Sequence, residues 1–551
     1  MTALRIAGGA VYDPQHDMHG DVRDVCILGD RIVADVPDTA RVIDARGMIV
    51  MPGGVDMHAH VAGGSVNLAR RQLPGGHRGV GRPDLDDGTQ GRSGVDGVVP
   101  STFCTGYRYA GLGYTTVFDA AVAPVMARLA HLEFDDTPIV DGGFYVLAGN
   151  DRHLLDLVDR GEEAEAREFL GWLVGVTGAY ALKAVNPGGI ELWKQGHRER
   201  TSLDTPVGST RVTPRRLLQV LADASETLAL PHPVHVHGNN LGLPGNVETT
   251  LESLRALDGR RAHFTHLQFH SYATSAARPW QSGARAVAEY LNAHPTLSGD
   301  VGQVLFGPAA TITADGPVEY LLHRSSGGTW SNLDIELETG CGVVPLVYAD
   351  RKAVSALQWV VGLELFLLSE DPWRMVLSTD HPNGGSFTAY PELIRLLMDR
   401  TYRDACLRRL NPRHLAGSAL ADGLTREYTL SEIAIITRAG PARLLGLAHK
   451  GHLAPGADAD VAVYQPGAHA AETFATPRYV VKAGVLVVEE GQLRRAPAGR
   501  RLHVRPEFDA SVLAGVRRHL ARVGTVRFEH YGADALADAL PDAPYPLAGR
   551  P

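Results

Sequence analysis

The sequence predicts an α/β protein: a (β/α)8 TIM barrel with a small β-sandwich domain formed from both chain ends. Between residues 53 and 440, short β-rich runs alternate with longer helical patterns, which is typical of a parallel sheet built from βα units. A segment of this length suits the closed eight-stranded barrel. Alternating apolar runs cut by turn residues occur before residue 52 and return at residues 452–492. Such runs are typical of small antiparallel β units, so we expect one sheet domain from both ends.

The expected domains follow these patterns in chain order. Residues 1–52 are predicted to form the N-terminal part of the β-sandwich, 53–440 the barrel, and 441–500 the C-terminal part of the sandwich. Residues 501–551 are expected to be an appendage with one helix and a Pro-rich tail. Residues 61–100 are Gly/Arg/Asp-rich and aperiodic, and we expect an active-site loop there because an ordinary connection is shorter.

Composition excludes several classes of protein. The chain has 551 residues, 44% hydrophobic and 21% charged, which is the composition of a globular protein. A formal charge of −9 lacks the positive field of a nonspecific nucleic-acid binder. Four widely spaced cysteines without a CxxC pair favour a reducing compartment. With no long apolar run, we expect a cytoplasmic protein without membrane or nucleic-acid contacts.

Histidines and one aspartate at the ends of predicted strands suggest a metal centre. His58 and His60 are two residues apart, so on a strand both imidazoles point to the same face. Imidazole plus carboxylate ligands suit zinc or a similar divalent ion, and open coordination positions indicate catalysis. Further candidates at later strand ends are His235, His237, His263, His266, His270, Asp380 and His381.

Lys183 lies in the middle of a predicted barrel strand, and only five of the 53 basic residues are lysines. An uncompensated ammonium at such a position costs several kcal/mol, on the order of a buried unpaired polar group or more. Either Lys183 pairs with a neighbouring aspartate, or its neutral amine captures carbon dioxide to give a carbamate whose oxygens bridge two metal ions.

Taken together, these motifs resemble those of the amidohydrolase superfamily. The resemblance rests on the HxH motif, GLGYTTVFD, GADADVAVY and the order of the ligand candidates. It implies an amidohydrolase-type barrel that binds two divalent ions, expected to be zinc, with carboxylated Lys183 as the bridge. The implied ligands are His58, His60, Lys183, His237, His266 and Asp380. His237 is preferred over His235 because it ends its strand, and His266 over His263 and His270 because THLQ fits the family motif.

A narrower resemblance is carried by LKAVNPGG, HVHGNNLGLPGN, THLQFHSY, GPAATITADGP and STDHPNGG. These motifs are similar to those of formylmethanofuran dehydrogenase A subunits and alpha subunits of bacterial formyltransferase/hydrolase complexes. The resemblance implies hydrolysis of formyl-methanofuran or formyl-methylofuran to formate and the free amine coenzyme, with Asp380 as the catalytic acid/base. The implied partners are further subunits of the same complex, one of them a formyltransferase subunit. The arginine-rich, lysine-poor composition favours the enzyme of methylotrophic bacteria, but it does not exclude the archaeal formylmethanofuran dehydrogenase type.

Several polar residues near the implied ligands are candidates for coenzyme binding. Asn186, Asn239, Asn240 and Asn383 follow the ligands and would bind the formyl group or coenzyme, or else only shape turns. Arg70, Arg71, Arg78 and Arg82 lie in the loop after the HxH motif. They would hold an anionic coenzyme tail or a partner subunit in spite of the overall negative charge, or else form an ordinary solvated loop.

Three alternatives remain. A hydantoinase- or dihydroorotase-like cyclic amidohydrolase would share every implied metal ligand. A catalytically inactive amidohydrolase-like scaffold protein would be expected to have lost ligands, whereas all six are present. A plain α/β domain with scattered histidines would require the ordered ligand series to be a coincidence.

Overall fold

The computed structural model describes residues 3–73, 85–86, 102–332, 342–523 and 526–531. The strands, in chain order, are β1 Ala3–Asp13, β2 Met18–Leu28, β3 Arg31–Val33, β4 Arg41–Asp44, β5 Ile49–Pro52, β6 Gly54–Ala59, β7 Tyr114–Val122, β8 Asp141–Leu147, β9 Ala181–Val185, β10 Val234–His237, β11 Ala262–Phe264, β12 Tyr272–Ser275, β13 Arg278–Ser282, β14 Leu297–Asp300, β15 Gly307–Thr313, β16 Ser331–Asn332, β17 Gly342–Tyr348, β18 Met375–Val376, β19 Val461–Tyr464, β20 Tyr479–Lys482, β21 Val485–Glu489 and β22 Gln492–Leu493.

The α-helices, in chain order, are α1 Gly64–Gln72, α2 Phe103–Ala110, α3 Ala127–Asp135, α4 Arg152–Asp159, α5 Glu163–Thr177, α6 Gly189–Lys194, α7 Pro214–Thr227, α8 Val247–Ala256, α9 Ala284–Ala293, α10 Gly316–Ser326, α11 Ala353–Leu368, α12 Tyr390–Met398, α13 Arg400–Leu407, α14 Pro412–Leu415, α15 Leu430–Ala434, α16 Gly440–Leu444, α17 Ala470–Ala475 and α18 Leu513–Val523.

Eight parallel strands form the central sheet, in the order β6-β7-β8-β9-β10-β11-β14-β18. The strands are almost entirely buried, as expected when helices cover a parallel sheet. The two edges of the sheet meet where Ala59 forms a parallel bridge with His381, and the His60 N–H donates to the His381 carbonyl over 2.7 Å. The predicted parallel α/β barrel architecture is therefore confirmed, and all strand carboxyl ends face one side.

A nine-stranded sheet, here the terminal sheet, combines β1–β5 with β19–β22, as predicted from the patterns at the two chain ends. The sequence patterns indicated antiparallel pairing, but β4 and β5 both run parallel to β1. Long strand β1 accommodates them one after the other, β4 along Leu4–Ala7 and β5 along Ala10–Val11. The terminal sheet is therefore mixed.

A buried ion network fixes the terminal sheet to the barrel. Lys450 Nζ lies 2.7 Å from carboxylate oxygens of both Asp141 and Asp460, and Lys482 Nζ lies 2.7 and 2.9 Å from the same two groups. Asp141 begins barrel strand β8, whereas Lys482 ends β20 of the terminal sheet. Removing one partner of such a network leaves an uncompensated buried charge, which costs about 3–5 kcal/mol.

The sequence patterns did not reveal a small antiparallel sheet inserted between barrel strands β14 and β18. This cap sheet consists of β15, β16 and β17, and its apolar face packs on helix α1 through Ala310, Ile312 and Val343. Helix α1 occupies the first part of the segment expected to be an aperiodic loop. Arg78 and Arg82 lie outside the described residues.

Helix α11 contains the longest apolar run of the sequence and lies in the core. Its Glu364 is buried, and one carboxylate oxygen accepts the Leu420 N–H over 2.9 Å while the other accepts the Ser282 hydroxyl. The run is therefore a core helix with a satisfied carboxyl group. In the part of the chain that the structure describes, no helix is long and apolar enough to cross a bilayer.

Candidate metal centre

One cleft at the carboxyl ends of the barrel strands brings together all six ligand candidates that the resemblance implied. Its empty volume is about 950 Å³, open solvent included. Each of the six residues is at most 6% exposed. The six candidates, all of which line the cleft, are His58, His60, Lys183, His237, His266 and Asp380.

His58, His60 and Asp380 form the first half of the cluster. The alternation of strand β6 turns both imidazoles into the barrel, and each Nε2 lies 3.1 Å from Asp380 Oδ1. Two ligand atoms that share a tetrahedral ion at about 2.0–2.1 Å lie about 3.3 Å apart. His58 Nε2 has no hydrogen-bond partner among the described residues, so these three side chains fit a divalent ion.

His237 and His266 form the second half, with His237 Nδ1 lying 3.0 Å from His266 Nε2. His266 has φ 35°, a left-handed conformation that is strained for histidine. The chain can pass this close only because the facing residue is Gly302, where a Cβ atom would lie 2.3 Å from His266 Cβ. His270 contributes a third imidazole within 4.8 Å of both, and neither of its nitrogens has a hydrogen-bond partner among the described residues.

Buried carboxylates lie behind the candidate ligands, and the sequence analysis missed them. Asp300 Oδ2 lies 2.7 Å from His58 Nδ1, and Asp315 Oδ2 lies 2.7 Å from His237 Nε2. Because a carboxylate can only accept, each neutral imidazole donates its N–H backwards and turns a lone pair towards the cleft. Asp300 ends barrel strand β14, and this position at a strand end could have indicated from the sequence that it lies near the ligands. Asp315 lies between β15 of the cap sheet and helix α10, and the sequence does not reveal the contacts of this inserted sheet.

Ionisation in this cluster is strongly perturbed. Burial opposes the charge on Asp380, but His58 and His266 outweigh that effect and hold its pKa well below the usual range. Burial likewise disfavours the charged form of His58, yet Asp300 and Asp380 raise its pKa to about 9. The two carboxylates thus favour a positive charge close to them, and a divalent ion provides that charge as well as a proton does.

Lys183 is 1% exposed in the middle of strand β9. It forms no ion pair with a described carboxylate; its Nζ lies 3.5 Å from Thr265 Oγ1. Burial lowers the pKa of Lys183 to about 7, although Asp300 and Asp380 partly oppose this. The alternative of a lysine paired with a neighbouring aspartate is therefore absent from the described residues, and a substantial fraction of the amine is neutral near pH 7.

The alternative histidines occupy deeper or adjacent positions. His235 lies one layer below His237, where its Nδ1 is 2.9 Å from His232 Nε2. His263 contacts Ser298 Oγ at 2.9 Å and Asp300 Oδ2 at 3.2 Å. Neither lines the cleft. This geometry favours His237 and His266 as the residues that face a ligand.

Side-chain amides near the cleft are mostly occupied by protein partners. Asn383 lines the cleft and donates from Nδ2 to Asp380 Oδ1 over 2.9 Å, while its Oδ1 accepts the Ile312 N–H. Asn186 and Asn239 are joined by a 2.9 Å hydrogen bond. Asn240 donates to the Thr201 carbonyl and accepts the Thr201 N–H. Asn383 therefore contacts Asp380 directly, and the other three side chains form hydrogen bonds with adjoining protein groups.

Arg70 and Arg71 end helix α1, and they differ in environment. The Arg70 side chain is 10% exposed and donates to Asn67 Oδ1, to Glu133 Oε1 and to the Val61 carbonyl. These contacts argue against the expectation that Arg70 binds an anionic tail, because its guanidinium is already committed to the protein interior. Arg71 is exposed.

The fold and the cluster define a parallel α/β barrel with a histidine- and carboxylate-rich site at its strand ends. The chain belongs to the amidohydrolase family, whose model matches residues 41–488. It is 41% identical to protein FwdA of Methanocaldococcus jannaschii, over 96% of each chain. It is 38% identical to the A subunit of the formyltransferase/hydrolase complex Fhc of Methylorubrum extorquens, over 98% of this chain and 97% of that one.

Among solved structures, the chain is similar to one in the formyltransferase/hydrolase complex FhcABCD of Methylorubrum extorquens, crystallised with methylofuran. The TM-score is 0.89 at 37% identity, and 96% of each chain is covered. The resemblance found in the sequence motifs is confirmed over nearly the full length.

Proposed function

We propose that this protein hydrolyses the formamide of a formylated furfurylamine coenzyme, formyl-methylofuran or formyl-methanofuran, as the hydrolase subunit of a multisubunit one-carbon complex. The observation that carries the proposal is a cleft lined by all six ligand candidates that the resemblance implies, in a chain 38% identical to the A subunit of Fhc over nearly its whole length. Water adds to the formyl carbon and the C–N bond breaks, so that formate and the free amine leave.

We infer a centre of two divalent ions, expected to be zinc, held by His58, His60 and Asp380 on one side and His237 and His266 on the other. When bound, the ions supply a water of lowered pKa and polarise the formyl carbonyl. Lys183 is proposed as the bridge after its neutral amine adds carbon dioxide, which forms an N–C bond and releases one proton. The absence of an ion pair at Lys183 among the described residues supports this role.

Asp380 is proposed as the residue that moves protons. Its Oδ1 is occupied by Asn383 and lies beside both β6 imidazoles, which leaves Oδ2 to accept a proton from water. The same atom can then pass that proton to the departing amine, since an amine leaves readily only when protonated. Asn383 and the left-handed backbone of Asp380, φ 50°, keep the carboxylate in place for both transfers.

The walls of the cleft suit the organic part of such a substrate. Val122, Leu147, Leu241, Phe269 and Ile312 provide an apolar lining above the polar floor, which matches a flat furan ring attached to a formamide. Exposed Arg71, at the end of a helix that begins in the lining, is proposed to attract the anionic part of the coenzyme.

The test uses the purified complex with the formylated furfurylamine coenzyme. We expect co-purification with other subunits, one of them a formyltransferase, and stoichiometric release of formate that Asp380→Asn abolishes. Hydantoin and dihydroorotate serve as competing substrates. Faster turnover of a cyclic amide would replace this proposal with the cyclic amidohydrolase alternative, and no turnover of any amide would favour the scaffold.

A further inference from the structure

A second group of metal-ligand side chains lies in the terminal sheet and belongs to no part of the cleft. Asp13 ends strand β1, His16 lies in the single 3₁₀ turn that follows, and His452 comes from the other end of the chain. One donor atom from each lies within 4.8 Å of the others. We propose that these three residues bind a divalent transition-metal ion that ties the two chain ends together.

Asp13 is fully buried but only partly satisfied. Its Oδ2 accepts the Leu453 N–H over 2.8 Å and lies 3.1 Å from His16 Nδ1. Its Oδ1 has no hydrogen-bond partner in the described part of the chain. A buried carboxylate oxygen without a partner is costly, and a cation at Oδ1 removes that cost.

His452 carries a lone pair suited to the same cation. The residue is 8% exposed, and Nε2 lies 3.0 Å from the Ala448 carbonyl. A carbonyl can only accept, so Nε2 carries the hydrogen, and in the neutral ring Nδ1 carries the lone pair. Nδ1 has no hydrogen-bond partner among the described residues. A histidine fixed by a backbone carbonyl through one nitrogen, with the other nitrogen bare, is the usual arrangement of a metal ligand.

His16 completes the group from the solvent side. Its ring centre lies 4.9 Å from that of His452, and its side chain is 38% exposed. His16 Nδ1 lies 3.1 Å from Asp13 Oδ2, which places His16 directly beside the carboxylate of the group. Two imidazoles and one carboxylate suit zinc and similar divalent metals and leave a fourth position for water.

A neighbouring acidic group shows why the donor set matters. Asp141, Asp458 and Asp460 also lie within ligand distance of one another, but three cations, Lys450, Lys482 and Arg500, already pair with these three carboxylates. Asp13, in contrast, has an ion pair within the described residues only with His16. The Asp13 group therefore still accommodates a cation, whereas the other does not.

The experiment measures zinc bound per chain in the purified full-length protein after dialysis in zinc-buffered solution, and thermal unfolding with and without a chelator. Exposed His16 is the residue to change, because His16→Ala removes a ligand without opening the core. The parent should bind one more zinc equivalent than His16→Ala, and the chelator-induced fall in its melting temperature should shrink in the variant. The matched control is His19→Ala, a half-exposed histidine outside the group.

Asp13→Asn, which keeps the acceptor for Leu453, should also lose one equivalent. Formamide hydrolysis should remain at the parental rate in both variants, which separates this site from the proposed catalytic centre. Equal zinc content in parent, His16→Ala and Asp13→Asn would overturn the proposal. Zinc-soaked crystals without anomalous density between Asp13 Oδ1 and His452 Nδ1 would overturn it as well.

Discussion

Asp300 Oδ2 lies 2.7 Å from His58 Nδ1, joining the last residue of barrel strand β14 to the imidazole that β6 turns into the cleft. The other oxygen of Asp300 accepts the His266 N–H over 2.9 Å. One buried carboxylate therefore orients residues from both halves of the cluster. Burial disfavours its charge, but His58 and His263 outweigh burial and keep the pKa of Asp300 far below its ordinary value.

Asp300→Asn should weaken metal binding by roughly 10–100-fold, the usual effect of removing a carboxylate that supports a histidine ligand. The asparagine retains one acceptor but no charge, so the His58 ring loses the group that fixes its tautomer. Metal content after dialysis against graded chelator checks this. Exposed Asp258→Asn is the control, and unchanged retention of metal in Asp300→Asn would remove Asp300 from any supporting role.

Lys183→Ala should lose metal and activity, and a short-chain carboxylate should restore part of both, because the proposed bridge needs carboxylate oxygens and not the alkyl stem. Lys183→Arg should fail as well, since a guanidinium stays charged and cannot form a carbamate. Intact-mass measurement of the native protein should show the added carbon dioxide only on the parent. A fully active Lys183→Arg variant would contradict the bridging role.

Asp380→Asn should retain much of the metal but lose turnover by roughly 10²-fold or more, the scale expected for removing a general acid/base. Asn383→Ala provides the comparison, because it frees Oδ1 without removing the carboxylate. It should lower turnover less than Asp380→Asn does. Measuring kcat and metal content of both variants separates proton transfer from ligation, and a fast Asp380→Asn variant would leave Asp380 as a ligand alone.

The sequence revealed those features of the site that depend on local spacing. The two-residue interval between His58 and His60 places both on one face of a strand. Lys183 stands out in the sequence because burying an unpaired ammonium in the middle of a strand costs free energy. Features that depend on distant contacts stayed hidden. Asp300 supports a histidine 242 positions away, and Asp315 reaches His237 only because the cap sheet folds over the cleft. The contact between Arg70 and Glu133 stayed hidden as well, because Glu133 lies on another helix.

Glu319 provides a test of pH-dependent stability in the region beside the cleft. This glutamate on α10 is 2% exposed and accepts the Trp330 indole N–H over 2.6 Å. Burial, reinforced by Asp315, raises its pKa to about 8. The folded protein therefore holds a proton on Glu319 that the unfolded chain releases near pH 4.5.

Because the folded-state pKa is raised, the stabilising contribution of the protonated carboxyl is complete below about pH 4.5 and is lost as the pH rises through about 8. At about 1.4 kcal/mol per pKa unit, the loss reaches a few kcal/mol. The side chain at position 319 of the Glu319→Gln variant stays neutral at every pH. The melting temperature of the variant minus that of the parent should therefore be larger at about pH 9 than at about pH 6, two values on either side of the shifted pKa. Exposed Glu289→Gln should show no such trend. Parallel pH profiles for Glu319→Gln and the parent would mean that Glu319 is already ionised in the folded protein.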